Sequence, residues 1–508
     1  MTTTTLADLH TLLGHSRYRR VPLARTVYSD HTTPLRLIAA LKERYSHIFL
    51  LESLSDPHHR GRYTFLGYQP SLTVTAQDGT VTITPFGHED QATTTAELPR
   101  DVIARLIAEH HSPRLPELPP FTGGLVGYLA YDFFAVHEPA LHLHGTDDEG
   151  FRDLDLMLFE NVICFDHLTQ HIVLITNIPT ENLDESYQQG LRTLDEMEHL
   201  VFQQPTQPVE PLQLHGPLTP DMDRDKYTAI VERAKRYILE GDIFQVVLAN
   251  RLQAPASGSL FDAYRVMRTT NPSPYMFYFT SPVGEIAGAS PETLVSVQDG
   301  VAKTFPLAGT RPRGATAEED AALENELLHD PKELAEHYML VDLGRNDLGR
   351  FAAPGTVKVT ELAQVHRYSH VMHIGSVVKA QLAEGANVID AVGSVLPAGT
   401  LSGAPKIRAC QIIDELEGVR RGVYGGALGY FDLTGNMDMC IAIRFAYKRN
   451  GVVAVRSGAG IVADSVPATE YQETINKAKA VVEAVERANG GLPREAGTVA
   501  GEPSICLL

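Results

Sequence analysis

Residues 439–458 read MCIAIRFAYKRNGVVAVRSG. Two alternating apolar runs flank Asn450-Gly451, a dipeptide that accepts the positive φ angles of a two-residue hairpin turn. The stretch therefore predicts antiparallel strands rather than the strand of a βαβ crossover. In the first run Ile441, Ile443, Phe445 and Tyr447 share one face, and Ala442, Arg444 and Ala446 share the other. The same signal recurs in SLTVTAQDGTVTITP (residues 71–85), turning at Asp78-Gly79, and in ETLVSVQDGVAKTFPL (residues 292–307), turning at Asp299-Gly300.

Helices are predicted between these hairpins. After Asp225, the residues Tyr227, Ile230, Val231, Ala234, Tyr237 and Ile238 follow the 3.6-residue period. A second helix opens with Asp330 as N-cap, Pro331 at N1 and Glu333 at N3. A third follows Pro467 and ends before Asn489-Gly490. One internal echo links the two ends of the chain: Gly123-Gly124-Leu-Val-Gly127-Tyr128 resembles Gly425-Gly426-Ala-Leu-Gly429-Tyr430. It reads either as a chance match or as an old duplication of a sheet unit.

The chain has 508 residues, enough for about three domains. Residues 203–220 carry five prolines and one charge and read as a linker. The expected organisation is an N-terminal region (1–202), a linker (203–224), a catalytic region (225–488) and a flexible tail (489–508). Forty-three Lys and Arg against 63 Asp and Glu leave a net charge of −20, which argues against a nucleic-acid partner. An anionic small substrate remains compatible, since a few arginines or one metal reverse the local field. Cys164, Cys410, Cys440 and Cys506 are scattered and form no metal or disulfide framework. With neither a signal-peptide pattern nor an apolar run long enough to span a membrane, a cytoplasmic location is expected.

Two predicted helices each carry carboxylates at i, i+3: Glu333/Glu336 and Glu470/Glu473. Facing helices of this kind would offer hard oxygen ligands to Mg²⁺. Glu333 fits equally as a capping residue, and Glu473 as the i, i+4 partner of Lys477. Arg444, flanked by alanines, reads as an anion ligand or as a solvated surface cation. His370 and His373 read as buried packing residues or as proton carriers. The run Gly458-Ala459-Gly460 with Ala463 matches GxGxxA, but it follows a hairpin and no helix opens directly after it, so a dinucleotide site is rejected. Small residues there still let backbone N–H groups approach an anion.

The ordered motifs Pro306-Leu-Ala-Gly-Thr-Arg-Pro-Arg-Gly314, Leu340-Val-Asp-Leu-Gly-Arg-Asn-Asp347, Gly399-Thr-Leu-Ser-Gly-Ala-Pro-Lys406 and Tyr424-Gly-Gly-Ala427 resemble the chorismate-utilising enzymes. The resemblance spans Lys226 to Ala488. With Leu50-Leu-Glu-Ser53, Gly123-Gly124 and Asn271-Pro-Ser-Pro-Tyr-Met-Phe277, it narrows to the anthranilate synthase component I family. That resemblance implies an α+β fold, a four-layer α/β/β/α sandwich of largely antiparallel sheets with the linker joining parts of one intertwined body.

It also implies roles, residue by residue. Glu336 and Glu473 match the Mg²⁺ ligands. Tyr424, Arg444 and the segment Gly458, Ala459 and Gly460 match the group holding the substrate's enolpyruvyl carboxylate. Gly309 and Thr310 match ring-side contacts. Glu292 matches the acid that protonates the departing C4 hydroxyl, and His373 and Thr400 match residues near the ring and the scissile ether. Gln245 stands where water-using relatives carry a lysine base. Ala308 stands where aminodeoxychorismate synthases carry a lysine. Ser53, Pro274, Tyr275 and Met276 match a feedback site for tryptophan. The implied partners are chorismate, tryptophan as inhibitor, and a glutamine amidotransferase small subunit supplying ammonia, in a hetero-oligomer of two large and two small subunits. Two alternatives stay open: an aminodeoxychorismate or aminodeoxyisochorismate synthase component, and an inactive tryptophan-sensing protein.

Overall fold

The computed structural model describes residues 5–14, 17–54, 61–136, 138, 141–202, 209–282, 284–367 and 371–492. All three hairpin turns form as the sequence predicts. Asp78, Asp299 and Asn450 have φ of 49°, 53° and 50°, and the glycines after them 78°, 76° and 75°. They join Leu72–Gln77 to Thr80–Pro85, Thr293–Gln298 to Val301–Thr304, and Phe445–Arg449 to Val452–Ile461.

The strands build two large antiparallel sheets, one of 13 strands and one of 12. Aromatic side chains fill the space between them; Phe49 meets Phe159 edge-on at 4.7 Å, and Phe65 meets Phe121 at 5.5 Å. The outer face of the first sheet is covered by helices that include Pro34–Arg44, Leu183–Phe202, Phe261–Thr270 and Pro467–Ala488. Helices Pro331–Gly349 and Val388–Val395 cover the second sheet. The result is the expected four-layer α/β/β/α sandwich.

The internal echo marks the centre of this architecture. Gly127 and Gly429 are direct cross-strand partners where Gly124–Leu129 pairs with Ala427–Asp432. A Cβ on Gly127 would sit 2.0 Å from the Asp155 carbonyl oxygen, and one on Gly429 would sit 2.1 Å from that of Asp438. Both positions accept only glycine. A second seam joins Ile48–Glu52 to Tyr275–Ser281 in the first sheet.

Each half of the chain follows one plan about these seams. Arg20–Tyr28, Ile48–Glu52 and Tyr63–Tyr68 enter the first sheet; Leu72–Gln77, Thr80–Pro85, Gly124–Leu129 and Leu154–Phe159 enter the second; Asn161–Asp166 and His171–Pro179 return to the first. In the second half Gln245–Ser257, Tyr275–Ser281 and Gly284–Ser290 enter the first sheet. Thr293–Gln298, Val301–Thr304, Ala427–Asp432 and Met437–Ile441 enter the second, and Phe445–Arg449 and Val452–Ile461 return. A duplicated sheet unit, rather than a chance match, accounts for this repeat of strand order.

Part of the proline-rich connection is ordered: Gln213–Leu214 and Thr219–Pro220 each pair with Gln245–Ser257. Asn489 and Gly490 bond back to Leu214 and Leu212. Residues 203–208 and 493–508, the rest of the expected linker and tail, lie outside the described residues, as do Tyr368–His370 and Cys506. One expectation changes. Residues 441–447 are not one alternating strand: Met437–Ile441 belongs to the second sheet and Phe445–Arg449 to the first. Arg444 lies at the switch between them with φ of 55°, so its direction is set by the crossover and not by strand alternation.

Candidate active site

The second half changes sheets twice, and both switches enter one cavity of about 490 Å³. The first switch, Ser290-Pro291-Glu292, delivers Glu292; the second delivers Arg444. They are tied together by the Ile441 N–H donating to the Glu292 carbonyl at 3.0 Å. The cavity wall also includes Gly309, Thr310, Glu336, His373, Thr400, Tyr424 and Gly458. Nine of the thirteen residues expected for catalysis, substrate or metal thus share one space of substrate size.

The electrostatics divide the labour. Glu292 is enclosed by protein, and burial pushes its pKa up to about 7, only partly offset by the Thr400 hydroxyl donating to Oε1 at 3.2 Å. This carboxyl holds a proton under conditions where an ordinary glutamate has lost it. His373 moves the other way, because burial lowers its pKa. Its Nδ1 is 3.0 Å from the Gly309 carbonyl oxygen and 3.0 Å from Thr310 Oγ1. A bond to a carbonyl requires Nδ1–H, so Nε2 carries the lone pair in the neutral ring. An acid and a base with pKa values pushed in opposite senses therefore share the cavity.

Arg444 opens onto the cavity, yet protein surrounds it closely enough that burial lowers its pKa. No ion pair neutralises it among the described residues, which suits a guanidinium awaiting an anion. Tyr424 is 3% exposed, and burial raises its pKa to about 12, so its hydroxyl stays a donor. A Cβ on Gly458 would lie 3.0 Å from that hydroxyl and 2.9 Å from the Leu248 carbonyl. The glycine gives the tyrosine its place.

Gln245, Ala459, Gly460 and Glu473 stand outside the cavity wall. The Gln245 amide lies against Gly460. Ala459 packs with Tyr227 and Leu248 on the other face of its strand. Glu473 pairs with Lys477 at 2.6 Å, and Lys477 itself lines the cavity. Among the described residues no three acidic, histidine or cysteine side chains are gathered as a ready-made metal cage. The carboxylates of Pro331–Gly349 and Pro467–Ala488 nevertheless feel one another. Burial, then Glu333 and more weakly Glu473, raise the Glu336 pKa; burial and Glu473 raise that of Glu470. An all-oxygen set with excess negative charge fits a hard divalent cation.

A second cavity, about 510 Å³, lies between the sheets beside the seam of Ile48–Glu52 and Tyr275–Ser281. Ser53, Pro274, Tyr275 and Met276 all line it. The Ser53 hydroxyl is buried with no hydrogen-bond partner among the described residues. Pro274 lines both cavities.

Sequence reasoning missed Lys477 as a wall residue, and Arg456 and Asn271 beside it. Only the i, i+4 spacing to Glu473 hinted at the first. It also missed the buried pair Arg421 and Glu417 behind the wall.

Comparison with known proteins agrees with this geometry. Residues 46–483 match the chorismate binding enzyme family. Anthranilate synthase component 1 of Pseudomonas putida is 44% identical over 478 residues, covering 92% of this chain and 96% of the relative. That of Acetivibrio thermocellus is 41% identical over 480 residues, covering 93% and 96%. The crystal structure of anthranilate synthase component I from Streptococcus pneumoniae superposes with a TM-score of 0.71 at 37% identity, covering 90% of this chain and 99% of that one. The menaquinone-specific isochorismate synthase of Escherichia coli, at 21% identity and a TM-score of 0.67, shares the fold. The chain therefore belongs to the chorismate binding enzyme family, among its anthranilate synthase component 1 members.

Proposed function

We propose that this chain is the large subunit of a cytoplasmic anthranilate synthase, converting chorismate and ammonia to anthranilate, pyruvate and water. The observation that carries the reading is the opposed pair in one cavity: a glutamic acid whose pKa is pushed up to about 7 and a histidine whose pKa is lowered, beside an arginine with no ion-pair partner among the described residues. Hydroxide is a poor leaving group, so Glu292 donates its proton to the C4 hydroxyl, which departs as water as ammonia bonds to C2, and the new ammonium group gives up one proton, which restores the Glu292 acid. His373, through the lone pair on Nε2, would take the C2 proton. The C3–O bond then breaks, the ring becomes aromatic, and the released enol is reprotonated to pyruvate. Arg444 and the Tyr424 hydroxyl hold the enolpyruvyl carboxylate.

Glu336 and Glu473, with Glu333 and Glu470 beside them, would hold Mg²⁺. When bound, the cation would neutralise the ring carboxylate of a dianionic substrate that the −20 charge otherwise repels. The alanine at Ala308 and the glutamine at Gln245 favour the amine route to anthranilate over the lysine-assisted routes, as do the names of the relatives. Ammonia would come from a separate glutamine amidotransferase component, with two copies of each subunit in the assembly. The inter-sheet cavity would take tryptophan, Ser53 meeting its backbone groups and Pro274, Tyr275 and Met276 its indole.

The test is incubation with chorismate, Mg²⁺ and ammonium, followed by anthranilate fluorescence and mass spectrometry. Anthranilate as main product supports the reading; isochorismate or aminodeoxychorismate as main product overturns it.

A further inference from the structure

Behind the cavity wall lies a buried guanidinium that the chemistry above does not use. Arg421 is 2% exposed and sits between the helix Lys406–Glu417 and the strand Ala427–Asp432. Its donors reach separate segments of the wall. Nη1 donates to the Leu401 carbonyl at 2.6 Å, one residue from Thr400, and Nη2 donates to the Val247 carbonyl at 2.7 Å. Nε and Nη2 also hold the Glu417 carboxylate at 2.9 and 2.5 Å. Glu417 in turn accepts the Ala249 N–H at 2.8 Å. The guanidinium lies 5.8 Å from the centre of the Tyr424 ring, and the Arg421 carbonyl accepts the Tyr424 N–H at 3.3 Å.

Burying such a pair is a poor way to gain stability, because desolvation offsets its attraction, and apolar replacements of both partners are often as stable. What the pair supplies is geometry. One planar fork ties the strand carrying Val247, the turn carrying Thr400 and the loop carrying Tyr424 into a fixed arrangement. We propose that Arg421, held by Glu417, is a positioning residue: it sets Tyr424 for the substrate carboxylate and, through Thr400, the Glu292 carboxyl for the departing hydroxyl. Lysine has the charge but lacks the fork that spans two carbonyls and a carboxylate. The inference rests on the function proposed above.

The experiment uses the full chain with chorismate, Mg²⁺ and ammonium. The expected result for Arg421→Lys is a melting temperature within about 5 °C of wild type and a kcat/KM lower by about 30-fold or more. Because Arg421 acts through Tyr424 and Thr400, adding Tyr424→Phe should cost far less than it does in the wild-type background. A residue that merely supports the fold would give losses that multiply, or that follow the unfolded fraction. If Arg421→Lys does not fold, the apolar pair Arg421→Met with Glu417→Leu takes its place, with the same loss expected in a folded protein. Overturning results are a kcat/KM within about threefold of wild type in either folded variant, or independent losses in the cycle. If wild type forms another product from chorismate, the function falls, and the same ratios read on that product still decide the role of Arg421.

Discussion

Glu292 couples catalysis and stability to the same proton. Because it must be protonated to act, kcat/KM referred to free ammonia should fall as pH rises through about 7. The lowered pKa of His373 should place the acid limb below the ordinary histidine range. For stability the sign is opposite to that of a salt-bridged carboxylate. The folded pKa is raised, so between the unfolded value near 4.5 and about 7 the native state binds more protons, and stability declines with rising pH across that window. Glu292→Gln should lose about 10²- to 10⁴-fold in turnover and remove the basic limb. In urea titrations at pH 8 it should be more stable than wild type, by up to about 3 kcal/mol. A variant that keeps the basic limb would place the acid elsewhere. Arg444 gives a second expectation. Arg444→Lys retains the charge but not the planar contact, so kcat/KM should drop about 10- to 100-fold, while unchanged kinetics would return Arg444 to a solvated surface role.

At the scale of elements, the helices Pro331–Gly349 and Pro467–Ala488 are the expected metal jaws. Glu473→Gln should abolish nearly all turnover without lowering the melting temperature, and raise the Mg²⁺ concentration needed for half-maximal activity; near-normal activity at low Mg²⁺ would remove the assignment. These helices were legible because their signals are local. Asp330 accepts from the Lys332 and Glu333 N–H groups as its cap, and Asp-Gly or Asn-Gly suffices to make a turn. Arg444 was legible as a candidate for the wrong reason. Alternation runs unbroken from Ile441 to Tyr447 in the sequence, and nothing local reveals that the chain leaves one sheet for the other at a residue with positive φ. The role of Arg421 was not legible, because its i, i+4 spacing to Glu417 reads as an ordinary surface pair and the carbonyls it spans, at Val247 and Leu401, lie far from it in sequence. The family motifs brought most wall residues together on the page, but the cavity itself exists only once distant strands are paired.

At the scale of the molecule, two cavities share Pro274, and the segments 50–54 and 271–276 are bound together, the Leu54 N–H donating to the Ser273 carbonyl at 3.2 Å. A ligand seated against Ser53 can inhibit only by favouring an arrangement that binds chorismate less well, and chorismate must then weaken that ligand by the same factor. Ser53→Phe should relieve tryptophan inhibition and leave basal turnover within about twofold; calorimetry showing no tryptophan binding to the wild-type protein, with or without its partner, would remove the site. The seams give the fifth expectation. Gly127→Ala drives a methyl group into the Asp155 carbonyl, so the urea midpoint should fall by the equivalent of about 1–3 kcal/mol or more, whereas a methyl at solvent-facing Gly216 meets nothing within 4 Å.

The paired seams also set an order of events during synthesis. Until the second half has been made, Ile48–Glu52 and Gly124–Leu129 lack the neighbours Tyr275–Ser281 and Ala427–Asp432. Both are rich in apolar residues, and an open strand edge of that kind is a template for any other strand. A ribosome adding about 5–20 residues per second needs some tens of seconds to travel from Leu129 to Asp432. Until Ser281 is made, about 8–30 s after Leu129 at that rate, the nascent chain carries both adhesive borders at once, the Gly124–Leu129 border stays open until Asp432, and a neighbouring nascent copy offers the same borders in the same spacing. The duplicated plan that completes the enzyme is thus also its main route to mispairing, and a chaperone that shields strand edges would serve this protein most before its own second half arrives.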